Sequence, residues 1–205
     1  MDRRELLKMI AVLTGGAVIG GEVFLSGCKT NTSGGTTFSA ENIALLDEVG
    51  ETIIPTTDTP GAKAAKVGEY MKTIVTDCYT EAQQKVFTEG MAGLDEACKK
   101  LNGKTFMDCT AEQRKAFLIT LEKEAKEFNK QRDEKDKAAK EKARLEMDPN
   151  YVGSPSHYYT MMKQLTLMGY FTSEIGSKQA LRWMAIPGKY DGAFPYKKGD
   201  KAWAI

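Results

Sequence analysis

From residue 43 onward, apolar side chains recur at the spacing of a helix face. Ile43, Leu46, Val49, Ile53 and Ile54 form the first stripe, opened by Ser39 as a capping residue and ended by Pro55. A second stripe starts near Val67 and carries Tyr70, Ile74 and Val75 toward Cys78, which this spacing places on an apolar face. Thr80 with Gln83, and Thr110 with Gln113, read as capping boxes. The first opens a helix through Val86, Phe87, Met91, Leu94 and Leu101 that stops at Asn102-Gly103, and the second opens one through Phe117, Leu118, Leu121 and Phe128. Ser154-Pro155 is predicted to start the next helix, with Tyr158, Met161, Met162, Leu165, Leu167 and Met168. A short last helix is predicted from Ser173 through Leu181, Trp183 and Met184 to Ile186-Pro187-Gly188. No alternating strand run and no internal repeat interrupts this series, so the class is all-α, a single irregular helical domain over residues 38–205.

Residues 122–146 are almost continuously charged, with acids and bases interleaved and no aromatic residue after Phe128. Opposite charges three and four positions apart support a solvated helix, each pair contributing about 0.2–0.5 kcal/mol. The stretch of about 130–147 therefore reads as a charged helical insertion. The tail, residues 189–205, combines glycine with aromatic residues and lacks a regular period, so it is expected to wrap over the domain or dock on a partner.

The N-terminal segment has a different pattern. Arg3 and Arg4 precede an uncharged run, residues 9–21, that is shorter than the roughly 20 residues a spanning helix needs. Leu25-Ser26-Gly27-Cys28 resembles the lipobox of bacterial lipoproteins, in which cleavage leaves an acylated cysteine as the first residue. Residues 1–27 thus read as a removable signal, with Cys28 lipidated and residues 28–37, rich in Thr, Ser, Asn and Gly, as a flexible tether. The expected location is the periplasmic side of a bacterial membrane, held by lipid. The segment around Arg3 and Arg4 resembles a twin-arginine export signal; an ordinary basic region of a Sec lipoprotein signal is the alternative. The twin-arginine route carries folded cargo, so a small chain using it can escort a folded partner.

Composition removes several classes. A net charge of +1 and a pI near 7.6, with mixed signs throughout, give no basic face for nucleic acid. One histidine, His157, and no Cys-x-x-Cys leave no spacing for structural zinc, c-type haem or a cysteine-bound iron–sulfur cluster, so no metal, cofactor or catalytic residue is expected in this chain. His157 reads as a first-turn helix residue, and Asp47, Glu48 and Glu51 as a solvated face. Beyond Cys28, Cys78, Cys98 and Cys109 allow at most one bridge. Cys98 and Cys109 flank a turn and can be joined; three buried thiols is the other reading.

Three stretches together resemble the gluconate 2-dehydrogenase subunit 3 family: residues 53–62 (IIPTTDTPGA), residues 90–95 (GMAGLD) with Phe106, and residues 169–173 (GYFTS) leading to residues 186–190 (IPGKY). The resemblance implies a non-catalytic subunit partnered with a large FAD-bearing dehydrogenase of the glucose–methanol–choline type, acting on sugars, sugar acids, polyols or glycosides and often passing electrons to a cytochrome c subunit. The flavin would reside in the partner. Candidate anchors for that partner are Tyr170, Phe171, Trp183, Tyr190, Phe194 and Trp203, while Pro60 and Gly61 are expected to set a loop shape. The charged insertion and the lipobox depart from the family pattern. A rival reading is a free-standing lipoprotein that binds a glycan or peptide, with Trp183 and Trp203 stacking on sugar rings.

Overall fold

The computed structural model describes residues 38–148, 151–186, 188–189 and 191–204. The expected signal residues Arg3 and Arg4, the lipidation site Cys28, the tether up to residue 37 and the anchor candidate Tyr190 lie outside the described residues.

Five α-helices follow one another: α1 (Ala40–Ile53), α2 (Val67–Asp77), α3 (Glu81–Asn102), α4 (Ala111–Glu146) and α5 (Tyr158–Thr172), then a single π-helical turn, Gly176–Ala180. The fold is all-α, and among the described residues there is no strand, only an isolated bridge between Arg182 and Trp203. Three helix starts sit where the local sequence puts them. Ser39, Thr80 and Thr110 each accept the backbone N–H three residues on, from Asn42, Gln83 and Gln113, whose side chains reach back to the cap. Gly103, at φ 73°, ends α3 in the left-handed region that glycine adopts without strain.

Helix α5 is the hub. It packs against α1, α2, α3, α4 and the π-helical turn. Its buried set (Tyr159, Met161, Met162, Leu165, Thr166, Gly169, Tyr170) spans about half of its circumference, while Gln164, Leu167, Met168 and Phe171 face outward. Thr166, fully buried, satisfies its hydroxyl on the Met162 carbonyl at 2.8 Å. Around it lie Leu46 and Val49 of α1, Met71 and Val75 of α2, Phe87 and Leu94 of α3, and Phe117 and Leu121 of α4. Two glycines allow the close crossings: a Cβ on Gly90 would lie 2.1 Å from the Tyr158 ring, and one on Gly169 would lie 2.6 Å from the Tyr70 ring.

Helix α4 has 36 residues, about 54 Å at 1.5 Å per residue. Its first half carries Phe117, Leu118, Leu121 and Ala125 into the core, and beyond Ala125 the charged sequence continues the same helix. The return to α5 is tied to it by side chains. Asp136 accepts the Ser154 N–H at 2.7 Å and its hydroxyl at 2.9 Å, and Asn129 accepts the His157 N–H at 3.0 Å while donating to the Thr160 hydroxyl at 2.9 Å.

Four sequence expectations are corrected. Helix α5 starts at Tyr158, not at Ser154-Pro155, because His157 is its cap: Nδ1 accepts the Tyr159 N–H at 3.2 Å. The last predicted helix is shorter than expected: residues 174 and 175 are α-helical and lead into the π-helical turn, and Leu181 is already extended, with its N–H on the Gly176 carbonyl. Cys78 is exposed at the end of α2, whereas Cys98 and Cys109 are buried. Asp47, Glu48 and Glu51 do not form a solvated face; all three carboxylates are engaged by other parts of the chain. Among the described residues no helix is long and apolar enough to cross a membrane.

Candidate partner interface

The acidic row on α1 organises the loop that follows it. Glu51 accepts the Thr56 N–H at 2.8 Å and hydroxyl at 2.7 Å through Oε1, and the Lys63 N–H at 3.0 Å through Oε2. The Ala62 N–H returns to the Ile54 carbonyl at 2.9 Å, closing residues 54–62 into a fixed turn. Gly61 lies so close to the Glu51 carboxylate that a Cβ there would sit 2.2 Å from Oε2, which is why glycine stands at this position. Pro60 and Gly61 thus shape the loop, and the Pro60 carbonyl receives the Tyr170 hydroxyl at 2.7 Å.

Glu48, one turn earlier, pairs with Lys63 at 2.8 Å and with the Arg114 guanidinium. Burial raises the Glu48 carboxyl, but the bond from Lys63 and the charge of Arg114 outweigh that and hold it below its usual range. Asp47 accepts the Gly68 N–H at 2.7 Å, capping α2 from another helix. Burial keeps the Asp47 carboxyl above its ordinary value despite that bond. The same guanidinium donates to the Phe106 carbonyl at 2.9 Å and the Met107 carbonyl at 2.6 Å, and the Phe106 N–H goes to Asp95 at 2.9 Å. Residues 90–95, Phe106 and residues 53–62, remote in sequence, are therefore parts of one brace.

The C-terminal end of α5 and the chain that follows it carry an apolar surface. Tyr170 is 1 % exposed and belongs to the core, so the expectation that it anchors a partner is corrected: its ring fills the space under the 54–62 loop. Phe171, Trp183, Phe194 and Trp203 each leave 40–50 % of their surface uncovered. Trp203 is fixed by its backbone neighbours: the Arg182 N–H donates to the Ala202 carbonyl at 2.7 Å, and the Ala204 N–H to the Arg182 carbonyl at 2.8 Å. The Arg182 guanidinium lies 4.9 Å from the Trp203 ring centre and 5.2 Å from that of Phe194, and the two rings meet edge to face at 5.7 Å. A groove of about 930 Å³ opens beside Met184, Phe194 and Trp203. A second hollow, of about 270 Å³, is lined by Phe171, Thr172, Leu181 and Trp203, so Trp203 is the shared wall. Met184, Ile186 and Tyr196 add further exposed apolar surface in the same stretch of chain.

A family model described as gluconate 2-dehydrogenase subunit 3 matches residues 40–188. The chain belongs to the gluconate 2-dehydrogenase subunit 3 family. Comparison with curated proteins and with solved structures finds no match. The subunit 3 match spans all five helices, the loop braced by Glu51, and the Phe171 and Trp183 part of the apolar surface. It ends before Phe194 and Trp203, so the far wall of the groove comes from a segment beyond the matched span.

Among the described residues, no group of three or more His, Cys, Asp or Glu is placed to hold a metal ion. His157 is buried between Phe128 and Tyr158, with ring centres 5.5 and 4.4 Å away. Burial holds its imidazole below the ordinary value of 6.5. Only the neutral ring can accept the Tyr159 N–H at Nδ1. With the folded value depressed, the unfolded chain binds the proton more readily, so this residue's contribution is complete above about pH 6.5 and is lost as the pH falls from there through the folded value. Thermal unfolding measured between pH 7.5 and 5.5 should show a midpoint that falls with acidity, and His157→Asn, which keeps a capping acceptor, should flatten that dependence.

Proposed function

We propose that this chain is a non-catalytic subunit that stabilises a periplasmic FAD-dependent dehydrogenase of the glucose–methanol–choline type, escorts it through export and holds it at the membrane through lipidated Cys28. The flavin and the oxidation of a sugar, polyol or glycoside belong to the large partner, and a cytochrome c subunit can complete the complex. One observation carries the reading beyond family membership: the aromatic surface around Trp203 is left uncovered by this domain. Side-by-side rings with apolar neighbours, rimmed by Arg182 and Lys189, have the composition of the centre of a protein interface, where aromatic residues and arginine carry most of the energy. A stable pairing requires more than about 1,000 Å² of buried surface, more than this groove alone supplies, so the partner is expected to cover Phe171 and Trp183 as well.

The test is an affinity pull-down of the full chain from solubilised membranes, with mass spectrometry and a visible spectrum of the eluate. A large flavoprotein with oxidised-flavin absorbance is expected. Trp203→Ala should weaken its capture at least about 30-fold, the loss of one interfacial hot spot of about 2 kcal/mol. An eluate without any flavoprotein, with a chain that instead binds saccharides in calorimetry, would replace this reading with that of a glycan-binding lipoprotein.

A further inference from the structure

Cys98, near the end of α3, and Cys109, just before the cap of α4, are buried with their Sγ atoms in contact at 3.6 Å. Each lies in the brace described above. Cys98 is three residues past Asp95, which holds the Phe106 N–H, and Cys109 is three residues past Phe106, whose carbonyl receives its N–H at 3.3 Å. We propose that Cys98 and Cys109 are a modification site, a dithiol that oxidises to a disulfide and locks the α3–α4 junction, and with it the seat of Arg114 against Glu48. This goes beyond the subunit role and does not depend on it.

The geometry favours this pair over any other. A disulfide needs the sulfurs at about 2.05 Å, an approach of roughly 1.5 Å from the observed contact. The two sulfurs flank the short turn at residues 103–108, Cys98 from the last turns of α3 and Cys109 from just before the cap of α4. Cys78, at the C-terminus of α2, is exposed and makes no sulfur contact among the described residues. The oxidant is a small disulfide or a disulfide-bearing oxidoreductase. The Cys109 side, with the residual exposure, attacks it as thiolate, forming a mixed disulfide and releasing one thiol. The Cys98 thiolate then attacks Cys109 Sγ and expels the second thiol. Two protein thiols lose two electrons and two protons in all, and one external disulfide becomes two thiols. Burial raises the Cys98 thiol, while the Asn102 side-chain amide, donating to its sulfur at 3.5 Å, favours the thiolate needed for the second step.

The test uses the full chain exchanged against oxidised and reduced glutathione, then alkylated under denaturing conditions and digested with trypsin. The expected product is a single cross-link between the peptide of residues 86–99, carrying Cys98, and that of residues 105–114, carrying Cys109, with Cys78 in neither. Closing a loop of this length should raise the thermal midpoint of the oxidised chain by about 6–12 °C over the reduced one. Cys109→Ala should abolish both the cross-link and the redox dependence of the midpoint. Because the mapping is made on the unsubstituted chain, it stands even if that variant folds poorly. Full alkylation of Cys98 and Cys109 after oxidation, a cross-link through Cys78, or oxidised and reduced chains that melt together would overturn the proposal.

Discussion

Tyr170→Ala is expected to destabilise the domain by about 3–5 kcal/mol, the range for removing a large aromatic side chain from a packed core. The ring is 1 % exposed on the hub helix, and its hydroxyl donates to the Pro60 carbonyl across 110 positions of chain. Tyr170→Phe keeps the ring and removes only that bond, so it should cost about 1–2 kcal/mol. Chemical denaturation of the two variants separates the contributions. Phe171→Ala, one residue on and 40 % exposed, supplies the contrast: it should change stability little. If Tyr170→Ala left stability intact, the loop at residues 54–62 would not rest on α5 as described.

The second large effect is expected at Arg114. Arg114→Ala removes one of two partners of a largely buried Glu48, takes the side-chain donor from the Met107 carbonyl, and leaves the Phe106 carbonyl only the longer bond from the Cys109 N–H. Breaking a buried pair from one side typically costs 3–5 kcal/mol, and because Lys63 still faces Glu48 the lower end, about 3 kcal/mol, is expected here. Arg114→Lys should recover little of it, since an ammonium group cannot reproduce the planar fork that reaches three acceptors at once. The acid limb provides an independent check. The Glu48 carboxyl is held below its ordinary 4.5 in the folded chain, so its stabilising effect is complete above that value and is lost as the pH falls through the lower folded one. Denaturation midpoints between pH 6 and 3 should therefore fall less steeply in Arg114→Ala than in the unsubstituted chain.

The helix starts at Thr80 and Thr110 were legible because a capping box is complete within four residues, and the start at Ser39 because serine is a preferred cap. The class followed from apolar spacing, and the charged second half of α4 from its alternation of signs. What escaped was whatever needs a partner from elsewhere in the chain. Nothing near Asp47, Glu48 and Glu51 announces that Gly68, Arg114 and Lys63 will arrive beside them. His157 was misplaced because histidine is not among the usual capping residues, and its ring serves here only because burial keeps it neutral. Tyr170 and Phe171 are chemically alike and adjacent. Which of them points inward depends on the orientation of α5 among four neighbours, a tertiary fact that no local pattern carries. The family motifs themselves have a local physical basis: Gly90 and Gly169 let helices touch, and Gly61 leaves room for a carboxylate.

The chain leaves the helical body at Arg182 and comes back to the same residue at Trp203, so the aromatic arm is a loop with both feet on one spot. The entropy of closing such a loop grows only slowly with its length, about 0.6 kcal/mol for each doubling. Residues can therefore be inserted, lost or exchanged along the arm at little expense to the folded helices. The aromatic surface of this arm can thus change in sequence and length while the helical body beneath it stays the same.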